Sequence, residues 1–262
     1  MKIGFIGCGN MAKAIMRGIL SAKLFQNNDI YASDAQPEML KAFCQQQNIQ
    51  PSNNAEIATI CDIVLLAVKP QVFPIVLPEI APLLANNTLV ISIAAGKTID
   101  FIESHIGAHK IIRIMPNLNA TIARSVSALC ANALCQEDDK QRAKSIFESI
   151  GNVFLLEEKD FSAFSAVACC SPAFSFMYMD ALAQAGVACG LDKDCAYAAA
   201  IASVAGSAAM LAASDEEPQV LIERVCSPGG TTIEGVHVLQ NESFPATIKK
   251  AVEASYLKDK KL

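Results

Sequence analysis

A chain of 262 residues that is 52% hydrophobic and 18% charged can bury a large core, so disorder is excluded and one large or two smaller domains are expected. The formal charge of -5 and the lack of a Lys/Arg stripe argue against a nucleic-acid partner; the one basic cluster, Lys258, Lys260 and Lys261, reads as a solvated tail. Ten cysteines occur with no C-x-x-C pair and no secretory leader pattern. This points to a reducing, cytoplasmic location, with Cys8, Cys61, Cys130 and Cys226 filling apolar runs as small hydrophobes. His105, His109 and His237 do not pair with cysteines at zinc spacing, so no metal site is expected.

In chain order, short aliphatic runs alternate with amphipathic stretches, the pattern of repeated βα units and a mostly parallel sheet. Strands are predicted at 2–6, 30–33, 63–68, 89–93, 110–115, 125–129 and 153–156, and helices at 10–21, 38–47, 72–84 and 138–149. From Asp160 strand-like runs vanish. Alanine-rich helices are predicted at 161–188 with a break at Pro172, and at 192–213, 218–225, 232–239 and 245–257. The expected architecture is an α/β Rossmann domain over 1–159 followed by an all-α domain over 160–262. The stretch Cys195–Ala213 carries no charge over nineteen residues, long enough for a membrane span, but ten of them are alanine. A helix buried against another helix is the better reading, and no membrane partner is expected.

The sharpest local signal is Ile3-Gly4-Phe5-Ile6-Gly7-Cys8-Gly9-Asn10-Met11-Ala12, an apolar strand running into G-x-G-x-x-A and a helix. Gly7 permits the tight turn, Gly9 admits a pyrophosphate close to the backbone, and Ala12 lets the helix pack on the strand. The cofactor is therefore NAD(H) or NADP(H), and both stay open. Asp34 at the end of the second strand suits a ribose hydroxyl, Ser33 suits a 2′-phosphate, and no Lys or Arg lies between Lys23 and Lys41. Two further strand ends, Ala67-Val68-Lys69-Pro70-Gln71 and Arg113-Ile114-Met115-Pro116-Asn117, fall where such sheets bind ligands. In the second half, Cys226-Ser227-Pro228-Gly229-Gly230-Thr231-Thr232-Ile233 places a glycine-rich loop at a helix start, where backbone amides and hydroxyls form a carboxylate or phosphate cradle.

Together these strings, with Asp180-Ala181-Leu182-Ala183-Gln184-Ala185-Gly186-Val187, resemble the pyrroline-5-carboxylate reductase family over essentially the whole chain. The resemblance implies NAD(P)H-dependent reduction of the cyclic imine 1-pyrroline-5-carboxylate to L-proline. It also implies a helical domain that interlocks with a second copy in a homodimer, or in a higher assembly of dimers. It puts the substrate carboxylate on the amides of Gly229, Gly230 and Thr231, and Thr232 beside the imine nitrogen as the catalytic residue. Asn117 is expected among the substrate contacts. Cofactor contacts are expected from Ile6, Gly7, Cys8, Gly9, Asn10 and Met11, from Ser33 and Asn54, and from Ala67, Val68, Lys69 and Pro70. The chain departs from the family's Ser-Gly-Ser-Gly-Pro-Ala-Tyr run, carrying Ala168-Cys169-Cys170-Ser171-Pro172-Ala173-Phe174 instead.

Reducing a C=N bond needs a placed hydride and a proton on nitrogen but no enzyme nucleophile, which fits the lack of a Ser/His/Asp or paired-carboxylate constellation. Asp215, Glu216, Glu217 and His237 read as solvated helix residues. Two alternatives stand beside this one. A related imine or hydroxy acid reductase would, for a hydroxy acid, want a lysine base on the long helix, yet 160–191 holds no Lys, Arg or His. A non-catalytic NAD(P)H sensor would not need the anion cradle.

Overall fold

The computed structural model describes residues 1–261. In chain order it contains β1 (Ile3–Ile6), α1 (Asn10–Ser21), β2 (Ile30–Ser33), α2 (Pro37–Gln47), β3 (Gln50–Pro51), α3 (Asn54–Ile60), β4 (Ile63–Leu66), α4 (Phe73–Ile80), β5 (Leu89–Ser92), α5 (Ile99–Ile106), β6 (Lys110–Met115), β7 (Ser125–Ala131), α6 (Glu137–Glu148) and β8 (Gly151–Leu155). Helices follow: α7 (Phe161–Phe164), a π-helical turn Ser165–Cys169, α8 (Ser171–Ala188), α9 (Lys193–Ala212), α10 (Pro218–Val225), α11 (Thr231–Asn241) and α12 (Phe244–Asp259).

The strands form one sheet in the order β3-β2-β1-β4-β5-β6-β7-β8, parallel throughout except where β7 runs antiparallel to β6. Order reverses between β2-β1 and β4-β5, so the carboxyl ends of β1 and β4 diverge into a crevice. The strands read as unbroken apolar runs because helices cover both faces. Alternate residues divide between two cores: Ile3, Phe5, Ile63, Leu65, Leu89 and Ile91 pack with α1, α2 and α6, while Ile6, Val64, Leu66 and Val90 pack with α3, α4 and α5.

Several elements differ from expectation. β3, α3 and α5 were not foreseen as separate elements: β3 is two residues long, and α3 and α5 are only seven and eight. Both helices carry a capping signal that reveals them. The Asn53 side chain accepts from Glu56 N at 2.9 Å, and Thr98 Oγ1 accepts from Phe101 N at 3.1 Å. The helix expected over 72–84 is broken into 3₁₀ turns at Pro70–Val72 and Ala81–Leu83 around α4, since the region holds four prolines that cannot donate to a helical ladder. The break expected at Pro172 falls just before it; Pro172 sits in the first turn of α8, where its missing N–H costs nothing. Cys226 is half-buried rather than part of an apolar core.

The chain divides into two compact units, Met1–Cys169 with the stretch from Tyr256, and Cys170–Ser255. In the first, buried Arg113 lies 2.9 Å from Glu158 and over the Phe161 ring, while Glu158 also accepts from Ile99 N at 2.8 Å. This ties α5, β6 and α7 together. In the second, α9 packs on α8 through Ala183, Ala196 and Ala200, with Tyr197 OH donating to Asp180. The expectation of a buried α9 holds for that one face; most of the helix is exposed. The stretches Glu158–Ala188 and Lys193–Ala212 are long and apolar enough to cross a membrane, by length and composition alone.

Candidate functional site

A cleft of about 620 Å³ opens where β1 and β4 diverge, and Ile6, Gly7, Gly9, Ser33, Asn54, Ala67, Val68 and Lys69 all line it. Gly7 has φ +101°, and a Cβ there would meet the Ala67 carbonyl at 2.8 Å, so only glycine fits the turn. Gly9 is different. A Cβ on it would meet nothing within 4 Å, so the space in front of its backbone is open. Gly9 is also the N-cap of α1 and brings no capping side chain, which leaves the first amides of this twelve-residue helix free for an anion. Ala12 is buried, as close helix–strand packing requires. A dinucleotide fits this cradle on the backbone alone.

Four expected contacts lie outside the cleft lining. Cys8 is buried beneath the turn, Asn10 is exposed at the start of α1, Met11 packs on the core, and half-buried Pro70 opens a 3₁₀ turn. The lining includes Asp34, expected from the sequence to suit a ribose hydroxyl, and adds Gln36, Ser52, Asn53 and Glu79, which were not expected there. Asp34 Oδ2 accepts from Cys8 N at 2.7 Å and Oδ1 from Gln36 N at 2.9 Å. Ser33 Oγ donates to Asn54 Oδ1 at 2.7 Å, and Asn54 Nδ2 donates to Glu79 Oε2 at 3.0 Å. The signal for these was their position after β2 and β3; Glu79, within α4, left none.

Burial pushes the thiol pKa of Cys8 to about 11 and those of Cys61 and Cys130 to about 12. These cysteines stay protonated at neutral pH and cannot act as nucleophiles. No cluster of three His, Cys, Asp or Glu gathers as a metal site among the described residues.

Buried Asn117 follows β6. Its Nδ2 donates to Ala168 O at 2.8 Å, while its Oδ1 accepts from Asn119 N at 3.2 Å and Val126 N at 3.3 Å. It thereby holds the π-helical turn that contains the altered Ala168-Cys169 run. π-turns interrupt an α-helix at a cost and concentrate at functional sites.

The glycine-rich loop joins α10 to α11. Gly229 has φ +68°, and Gly230 N donates to Ser227 O at 3.0 Å, closing a tight turn. Gly230 is the N-cap of α11 and, like Gly9, offers no capping side chain. The hydroxyls of Thr231 and Thr232 are exposed and make no hydrogen bond among the described residues. Asp215, Glu216 and Glu217 precede α10, where Glu216 pairs with Arg224, and His237 is exposed on α11.

A family model described as pyrroline-5-carboxylate reductase dimerisation matches residues 158–262, and one described as NADP oxidoreductase, coenzyme F420-dependent, matches residues 2–96. The chain is 38% identical to the pyrroline-5-carboxylate reductase of Escherichia coli (strain K12) across 100% of its own length and 98% of that protein. The chain belongs to the pyrroline-5-carboxylate reductase family. Solved members of the family share its fold. A Plasmodium falciparum pyrroline carboxylate reductase with NADP bound aligns with TM-score 0.90 at 32% identity over 99% of this chain and 97% of that one. A Coxiella burnetii pyrroline-5-carboxylate reductase aligns with TM-score 0.92 at 31% identity over the same shares.

Proposed function

We infer that this chain reduces 1-pyrroline-5-carboxylate to L-proline with NAD(P)H, the last step of proline biosynthesis. The observation that carries the reading is that one chain of this family has two helix N-termini left open by a glycine N-cap, Gly9 and Gly230. Each offers uncapped amides and a positive dipole end to an anion. The first suits a pyrophosphate, the second a small carboxylate.

In this reading Gly7 and Gly9 with Ile6, Cys8, Asn10 and Met11 hold the pyrophosphate side, Ser33 and Asn54 lie towards the ribose, and Ala67, Val68, Lys69 and Pro70 complete the site. The amides of Gly229, Gly230 and Thr231 hold the substrate carboxylate. Thr232, whose hydroxyl is not engaged in capping its own helix, orients the imine nitrogen. Asn117 serves the substrate side by fixing the Ala168 carbonyl. The bound dinucleotide supplies a hydride to the imine carbon. A protonated imine already carries the nitrogen proton, so hydride addition yields the secondary amine without a side-chain acid.

Residues 1–159 act as the dinucleotide domain and 160–262 as the substrate and dimerisation domain. A cytoplasmic homodimer fits the exposed apolar side chains of α8 and α9, among them Met177, Ile201 and Met210. The test follows NADH and NADPH oxidation separately with 1-pyrroline-5-carboxylate supplied, and identifies proline as the product. A purified, folded protein that oxidises neither dinucleotide would overturn the reading.

A further inference from the structure

Taking the cleft as a dinucleotide site, the structure also bears on which dinucleotide it takes. At the end of β2 the lining consists of Ser33, Asp34, Ala35 and Gln36. Asp34 is fixed rather than free: its two oxygens take one amide each, Cys8 N from the glycine turn and Gln36 N from the turn before α2. Each carboxylate oxygen keeps a further lone pair, so what Asp34 presents to the cleft is acceptors only. Ser33 is no counterweight, because its hydroxyl proton goes to Asn54, whose amide in turn goes to the carboxylate of Glu79.

The other place for a 2′-phosphate is the N-terminus of α2, and it is unfavourable. Gln36 N is bonded to Asp34, Pro37 has no N–H, and Glu38 stands in the first turn. The single cation among the lining residues, Lys69, follows β4, with β1 between it and β2. Lys13 and Arg17 of α1 lie over the ring of Phe43. A hydroxyl pair of an unmodified ribose finds fixed acceptors here, whereas a 2′-phosphate, carrying close to two negative charges, finds two carboxylates and no facing cation.

We propose that Asp34 sets cofactor selectivity in this protein, accepting the adenosine ribose 2′-hydroxyl and, with Glu79 behind Asn54, repelling a 2′-phosphate, so that NADH is preferred to NADPH. The test is isothermal titration of the full chain, without substrate, with NADH, NADPH, ADP-ribose and 2′-phospho-ADP-ribose. The last two isolate the ribose end from the nicotinamide. The unphosphorylated member of each pair should bind tighter by about 10- to 100-fold, the size of a like-charge contact in a partly solvated site. Asp34→Asn keeps an acceptor and removes the charge, and should narrow the ratio to within about threefold, mainly by tightening the phosphorylated ligands. Glu79→Gln should narrow it less. Equal or tighter binding of NADPH by the unaltered protein overturns the proposal, and that ratio decides the matter even if a variant melts early. An unchanged ratio in folded Asp34→Asn overturns the role of Asp34. Failure of all four ligands to bind would overturn the dinucleotide reading itself, a result distinct from either.

Discussion

The sheet of the first unit buries all four residues of β1, of β4 and of β5, whereas the twenty residues of α9 bury only Ala196 and Ala200. Two helix starts, one in each unit, differ as well. In the first, α6 is closed by a full capping box: Gln136 takes the Asp139 amide and Asp139 takes the Gln136 amide, with three acids in the first turn. In the second, α11 starts on Gly230 with no side-chain cap. A region that encloses its own apolar surface is a finished scaffold. A region of alanine-rich helices with little to bury and an open helix end is built to be completed from outside, by a second copy and by a ligand. In the first unit α1 likewise starts on a glycine, Gly9, and there too a ligand is expected.

The sharpest way to break this contrast is Gly9→Val. Because a Cβ at Gly9 meets nothing within 4 Å, the fold should survive while the added side chain fills the pyrophosphate space. Dinucleotide affinity should fall by about 100-fold or more, with the melting temperature nearly unchanged. Gly7→Ala in the same turn should do the opposite and destabilise, since its Cβ would strike the Ala67 backbone. Titration and thermal melts on both variants check the pair; retained affinity in folded Gly9→Val would show that the open end of α1 does not hold the pyrophosphate.

Next in size is Thr232. Its hydroxyl caps nothing among the described residues, so Thr232→Ala should leave stability intact and lower kcat/KM by about 10- to 150-fold, the worth of a hydrogen bond to a charged group. Thr232→Ser should retain much of the activity. Steady-state kinetics beside a melt decides it, and a lowered melting temperature with normal kcat/KM would make Thr232 structural.

A smaller effect separates the two faces of α9. Ala198, Ala202 and Gly206 recur every fourth residue and are exposed, while Ala196 and Ala200 face α8. Ala202→Leu should weaken self-association by about 1–3 kcal/mol through overpacking, with the α8–α9 hairpin intact. Ala200→Leu should disturb the hairpin itself. Sedimentation equilibrium paired with circular dichroism distinguishes them, and a dimer unmoved by Ala202→Leu would place the shared surface elsewhere.

The smallest is Asp139. Its burial alone would raise the carboxyl pKa, but the hydrogen bond from Lys110 and the Gln136 amide outweigh it and hold it below the ordinary range. A carboxylate with a lowered folded-state pKa stabilises the fold above its ordinary pKa of about 4 and loses that contribution as pH falls through the folded value. Asp139→Ala should therefore cost about 1 kcal/mol at neutral pH and less in acid. Urea melts at the two pH values measure it; a difference that grows in acid would contradict the sign.

The parallel sheet, the glycine turn and the helical second half were legible because each rests on local spacing: buried two-sided strands read as apolar runs, and Gly7, Gly9 and Ala12 sit at fixed intervals. The short helices α3 and α5 were missed, although Asn53 and Thr98 announced their starts. The role of Asn117 was harder to read, because its partners Ala168 and Val126 come from elsewhere in the chain and no spacing encodes them. The same holds for Asp34. Its place after β2 was plain in the sequence; its bond to Cys8 was not.

The C-terminal turn of α12 returns to the first unit, where Asp259 accepts from Ser165 Oγ at 3.3 Å in the π-helical turn. Residues 170–255 are thus a stretch pinned at both ends to one scaffold, which has an effect on the order of assembly. During synthesis the sheet can close early, but the anchor of Ser165 is made only after every helix of the second unit. Until the last part of the chain emerges, the π-turn is held by Asn117 on Ala168 O but lacks its second anchor at Ser165. The length of the intervening stretch adds little to the cost of that anchor, since each doubling of a loop costs only about 0.6 kcal/mol more. A chain shortened after Ser255 should keep its sheet and be cut more readily by protease within 165–169; resistance there would show that the Asn117 contact alone holds the turn.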